Sequence, residues 1–327
     1  MKIRIKKNVN LAPFSTFKIS GRAQYFYGAK SPEKLIEATA WAKIKKIPCK
    51  IFAGGSNVVF PDKKIKGLVI RLFGGKIKVL GKNELLADAG VPLQKVINKS
   101  ISMGLSGIEA LSGIPGTIGG AVIGNAGAYG HSISEAVDVV EVWDGKKTFW
   151  LNKDECKFQY RESVFSAKGR SILRVSDPMG GSASGGKRKK LIVLRIQLRF
   201  IKKSSPEKLR KISRSIIIAR NKKYKPGLKC PGSFFKNVLV KDVPKNSLKL
   251  INRTKIIEGK IPAGYLLETV GAKGLKVGGA QVSGFHGNLI INKNGATATQ
   301  VRKLAQILKK MVYKKFGIEL HEEIRYF

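Results

Sequence analysis

The chain has 327 residues and a formal net charge of +42, from 63 Lys and Arg against 21 Asp and Glu; 43% of its residues are apolar. That apolar share excludes a disordered tail, and 36 Gly without a three-residue period exclude collagen-like structure. Three cysteines, Cys49, Cys156 and Cys230, none in a C-x-x-C pair, make neither a disulfide framework nor a zinc site.

Taken in chain order, a strand is expected at Ala23–Tyr27. Ser31-Pro32-Glu33 reads as N-cap, first-turn proline and early acid of a helix running to about Lys46. The buried strand Lys50–Phe52 runs directly into Gly54-Gly55-Ser56-Asn57. Further strands are predicted at Leu68–Leu72, Lys76–Leu80 and Leu85–Ala89, with a helix over Leu93–Met103. Asp144-Gly145 joins Val137–Trp143 to Lys147–Leu151 as a hairpin. Leu194–Phe200 alternates Leu194, Ile196, Leu198 and Phe200 against Arg195, Gln197 and Arg199, a half-buried strand. Ser205-Pro206 opens another helix, a last helix covers about Thr299–Phe316 and stops at Gly317, and Glu319–Tyr326 reads as a closing strand. Strands and helices mixed in this way, over a length that suits two or three domains, indicate an α+β chain.

Between Ser182 and Lys229 stand 17 Lys and Arg and one acid, Glu207. Such a stripe is either solvated surface, an attractor for a multiply anionic small substrate, or a nucleic-acid or membrane face. It lacks the interleaved aromatics of a single-strand binder. The basic start Met1–Lys7 leads into no apolar run, and the uncharged stretch Ala110–Ser134 holds Pro115, Asn125 and seven Gly, which suits looped backbone rather than a membrane helix. The expected setting is cytoplasmic. His131, His286 and His321 stand singly, so no catalytic triad and no metal set is expected.

Two glycine-rich loops carry the clearest chemistry: Gly54–Asn57 and Gly113–Ala121, both next to apolar segments. Glycine lets successive backbone N–H groups approach a pyrophosphate. One such loop is more often a plain turn; two favour a dinucleotide or flavin. Neither opens a long helix as a G-x-G-x-x-G, and there is no P-loop.

With these loops, the ordered segments Asn8–Thr16, Asn125–Gly130, Phe158–Ser163, Gly232–Asn237, Ala263–Glu268, Lys273-Gly274, Gly278–Ala280 and Leu320–Arg325 resemble the UDP-N-acetylenolpyruvoylglucosamine reductase family over nearly the whole chain. The resemblance implies an α+β fold with a two-part FAD-binding region of the vanillyl-alcohol oxidase (PCMH) type, residues 1–72 and 73–203. A C-terminal α+β substrate-binding domain, residues 204–317, follows, and the final strand, 318–327, returns to the second FAD-binding part. It implies NADPH-dependent reduction of UDP-N-acetylglucosamine enolpyruvate to UDP-N-acetylmuramate, for peptidoglycan synthesis, by a monomer. FAD would be held by Gly54, Gly55, Ser56, Asn57, Gly113, Pro115, Gly116, Thr117, Gly119 and Gly120. It would be non-covalent, since the first loop carries no His or Cys. The segment Ser171–Lys190 contains no Tyr, which places the chain with members lacking a tyrosine lid.

Hydride delivery to an enolpyruvyl alkene leaves charge that spreads into the carboxylate. The site therefore needs cations or donors at that charge and a proton source at the other carbon. By resemblance, Arg161 grips the carboxylate, Glu323 stabilises the enolate and Ser233 donates the proton. Tyr160, Lys236, Asn237 and Lys273 would bind substrate. Period-2 alternation alone turns Glu322 inward with Leu320 and Ile324, whereas the resemblance favours Glu323. The rival readings are another FAD-dependent oxidoreductase of the same fold and a basic nucleic-acid-binding protein.

Overall fold

The computed structural model describes residues 3–19, 21–166 and 191–327. The segment 171–190, with its missing tyrosine, lies outside the described residues. Four strands, in the order Lys6–Asn10, Arg22–Ala29, Ile65–Leu72 and Cys49–Phe52, form the first sheet. Its first pair is antiparallel and the others are parallel. Parallel neighbours need a crossover, and the helix Pro32–Ile44 supplies it. That helix starts where the sequence indicates: the Ser31 hydroxyl accepts from Lys34 N, and Pro32 takes the first turn. Its Leu35, Ala38 and Ala42 are fully buried against the sheet region.

The second sheet is antiparallel, in the order Thr148–Asn152, Val137–Trp143, Ile192–Arg199, Glu84–Asp88, Ile77–Gly81. The expected hairpin is present; Asp144 Oδ1 accepts from Lys146 N and Lys147 N, and Gly145 turns at φ 94. The alternation in the central strand is real. Leu194, Ile196 and Leu198 are buried, and on the other face Arg195 pairs with Asp88, Glu141 and Glu33. Arg199 likewise pairs with Glu84 and Asp138, so opposite charges sit across the strands.

A separate core forms around the helices Ala263–Thr269 and Ala298–Phe316 and the three-stranded sheet Lys276–Val277, Ala280–Val282, Ile290–Asn292. Thr297 and Gln300 make a capping box at the start of the long helix, and Gly317 in the left-handed region (φ 62) ends it. The helix Pro206–Lys223 lies between: its Leu209 joins the core of the first two sheets, and Ser213 Oγ lies 2.8 Å from Ser112 Oγ.

The closing segment differs from expectation. Only Arg325–Tyr326 is strand, and it pairs in parallel with Val58–Val59, inside residues 1–72 and not 73–203. The reason is shared backbone. Lys236 N donates to His321 O and Glu323 N to Phe234 O, while Arg325 N and Phe327 N donate to Asn57 O and Val59 O. One half of the segment is bonded to the Phe234 stretch and the other to the end of the first glycine loop, so no single ladder forms. The uncharged stretch Ala110–Ser134 contains short helical turns, the longest Ile118–Ile123, and the two-residue antiparallel strands Gly127–Ala128 and His131–Ser132. Among the described residues no helix is long and apolar enough to cross a membrane.

Candidate active site

The two glycine loops touch. A Cβ on Gly54 would lie 2.6 Å from Gly116 Cα, and the Ser56 hydroxyl donates to Pro115 O at 2.9 Å. Gly55 has φ +67, and a Cβ there would overlap Phe14 O. Where the loops meet, the amides of Gly55, Ser56, Asn57, Gly116 and Thr117 donate to no carbonyl or side chain among the described residues. The amides of Ile118, Gly119 and Gly120 are already taken by Val91 O, Ala89 O and Thr117 Oγ1. Gly113 N donates to Gln94 Oε1. A patch of amides without acceptors among the described residues fits a cofactor pyrophosphate. Gly119 contributes close packing instead: a Cβ there would lie 2.6 Å from Ala89 Cβ. Gly55→Val and Gly119→Val are each expected to purify colourless; full flavin occupancy in both, measured by absorbance of the released cofactor, refutes the cradle.

Asn57 ties this cradle to the C-terminal segment. Its Nδ2 donates to Glu323 O at 3.0 Å, while its Oδ1 is buried without a hydrogen-bond partner among the described residues. Glu323 in turn faces Arg161, Oε1 to Nε 3.2 Å. Arg161 reaches it from the tip of a tight turn in which Gln159 and Glu162 exchange N–H···O bonds of 3.0 and 3.1 Å. Arg161 sits at φ 58, a left-handed conformation that side chains seldom adopt. Asn125 Nδ2 donates to Gln159 O at 2.9 Å and braces the turn. Strain held by its surroundings at a charged tip is common where function demands a particular aim.

Burial pushes the Glu323 carboxyl above its usual range, against the opposing pull of Arg161 and Lys236. Burial also raises the Tyr160 phenol, whose ring lies 5.7 Å from the Arg161 guanidinium carbon. Lys236 Nζ bonds Glu162 Oε1 at 2.8 Å, and Asn237 Oδ1 accepts from Ala263 N, leaving its amide nitrogen for a ligand. Lys273 stands further off, paired with Glu268 at 2.9 Å. Glu322 turns away from all of these and pairs with Lys309 at 3.0 Å.

Ser233 follows Gly232 (φ 86), and its hydroxyl oxygen lies 3.0 Å from that of Tyr224. Tyr224 is flanked by two cations, Arg220 at 5.2 Å and Lys223 at 5.3 Å from the ring centroid. Arg220 Nε is buried without a hydrogen-bond partner among the described residues, and its Cδ would lie 3.2 Å from a Cβ on Gly113. Sequence reasoning missed Arg220, Lys223 and Tyr224 because they merge into the basic stripe. Their i, i+3, i+4 spacing, which puts them on one face at the helix end, was the available signal.

His286 Nδ1 accepts from Asn288 N, and burial, with Lys223, holds the ring down to about 4. The folded value lies below the unfolded one of ~6.5. The unfolded chain therefore binds the extra proton first, and stability complete above pH ~6.5 falls as pH drops toward 4. His286→Asn should flatten that limb of the Tm–pH curve by a few degrees; unchanged slopes would refute it.

The FAD-binding domain family matches residues 23–149. With the donor cradle, this defines an FAD-dependent oxidoreductase. The family described as UDP-N-acetylenolpyruvoylglucosamine reductase, C-terminal domain, matches residues 224–327. The reductase of that name from Solibacter usitatus is 34% identical over 99% of this chain and 97% of its own. That from Chloroherpeton thalassium is 33% identical over 98% and 92%. The crystal structure of the Thermus caldophilus reductase superposes with a TM-score of 0.72 at 27% identity, covering 100% of both chains. The chain belongs to the UDP-N-acetylenolpyruvoylglucosamine reductase family.

Proposed function

We propose that the protein uses NADPH and non-covalent FAD to reduce the enolpyruvyl group of UDP-N-acetylglucosamine enolpyruvate, giving UDP-N-acetylmuramate for peptidoglycan synthesis in the cytoplasm. The reading is carried by the Arg161–Glu323 pair, held by Asn57 against the FAD cradle with Ser233 on the adjoining Phe234 stretch. Bound FAD supplies the hydride, received from NADPH, to the terminal alkene carbon.

The residues of the chain do the rest. Arg161 takes the substrate carboxylate through its guanidinium, a bidentate match. Glu323, whose carboxyl burial shifts toward the protonated form against the pull of Arg161 and Lys236, shares its proton with the same carboxylate as charge accumulates there. Ser233 gives its hydroxyl proton to the neighbouring carbon. Tyr160, Lys236, Asn237 and Lys273 hold the sugar and the UDP phosphates. NADPH should bleach the visible absorbance of the purified protein, and the enolpyruvyl nucleotide should restore it. Bleaching by simple alcohols or sugars, and no recovery with the nucleotide, would assign a different oxidoreductase.

A further inference from the structure

We propose that Tyr224 is the positioning residue that replaces the proton Ser233 gives up, so that the pair works as a two-proton relay. The proposal rests on Ser233 as the donor to carbon, as read above. The two hydroxyl oxygens are 3.0 Å apart, a normal O–H···O distance. The backbone on either side of Ser233 is fixed without this contact: Phe234 N donates to Asn288 O at 2.9 Å and Cys230 N to Leu228 O at 3.0 Å. The tyrosine hydroxyl is therefore not needed to hold the loop.

Chemistry gives the contact its purpose. A serine that protonates carbon alone ends as an alkoxide, a base comparable with hydroxide and far stronger than a phenolate. A phenol titrates at about 10. In the relay, the carbanion electron pair takes the Ser233 proton as the Oγ–H bond breaks. The Tyr224 O–H bond breaks in the same step, and its proton passes to Oγ. Serine is left neutral and the charge rests on the phenolate. Arg220 and Lys223, 5.2 and 5.3 Å from the ring centroid, stabilise that charge, and water later returns the proton.

Stopped-flow half-reactions of the FAD-loaded enzyme test this. Tyr224→Phe should be reduced by NADPH at the parent rate and be reoxidised by UDP-N-acetylglucosamine enolpyruvate roughly tenfold to a hundredfold more slowly. Ser233→Ala combined with Tyr224→Phe should be no slower than Ser233→Ala alone, because the two act as one unit. A proton inventory of reoxidation in mixed H2O and D2O should curve for the parent and become linear for Tyr224→Phe, a change that a packing role would not produce. Parent-rate reoxidation of Tyr224→Phe beside a slow Ser233→Ala overturns the relay and leaves Ser233 as donor. Multiplicative effects in the double variant, or a linear inventory in the parent, overturn it too. Parent-rate reoxidation of Ser233→Ala removes the donor assignment and the relay together.

Discussion

Ser233→Ala is expected to leave bleaching by NADPH untouched while slowing reoxidation by the enolpyruvyl nucleotide about 10²-fold or more, the range for loss of a positioned general acid. The separation follows from where the hydroxyl sits. Among the described residues its partner is Tyr224, and no loop amide or carbonyl depends on it. The turn into Ser233 draws its shape from Gly232 at φ 86, which the substitution leaves alone. The protein should therefore fold, bind FAD and meet NADPH as before, and fail only where carbon must be protonated. Equal slowing of both half-reactions would show that the serine serves the loop rather than the chemistry.

What the sequence made legible and what it hid divide along a physical line. Ser31-Pro32, Asp144-Gly145 and Gly317 act through their own backbone neighbours, so their effects are local and readable. The Leu194–Phe200 alternation reports which face is buried, though not that Arg195 would meet Asp88, Glu141 and Glu33 on the other. The site was legible only by resemblance. Arg161 and Glu323 meet because a left-handed turn braced by Asn125 aims one and a shared backbone ladder places the other, and neither leaves a periodic trace. The final strand misled for the same reason: Leu320 and Ile324 alternate as a strand should, yet the backbone partners of His321 and Glu323 lie along Phe234–Lys236 and those of Arg325 and Phe327 at Asn57–Val59. Tyr224 was hidden by composition: its spacing to Arg220 and Lys223 marks a shared helix face, but among many lysines nothing points to Ser233, which only the fold brings beside it.

Glu323→Gln is expected to slow reoxidation about 10²-fold while sparing reduction by NADPH, and Glu322→Gln to leave both nearly unchanged. Alternation puts Glu322 with the buried Leu320 and Ile324, which favours it as the inward acid if "inward" means toward the core. The structure gives that direction a different meaning. The core side is the long C-terminal helix, where Glu322 pairs with Lys309, a contact worth roughly 0–1 kcal/mol on removal. The opposite side fronts Arg161 and the glycine loop through Asn57, so the outward-looking residue is the one among the polar groups of the site. Burial raises the Glu323 carboxyl, and the protonated form is the one assigned to share a proton with the substrate carboxylate. The parent reoxidation rate should then fall as pH rises through that raised value, because the active acid is lost. Glu323→Gln has no proton to lose, so its lower rate should be flat over the same range. A flat profile in the parent, or a larger kinetic loss in Glu322→Gln than in Glu323→Gln, would move the catalytic carboxyl one residue back, to the face that packs on the helix.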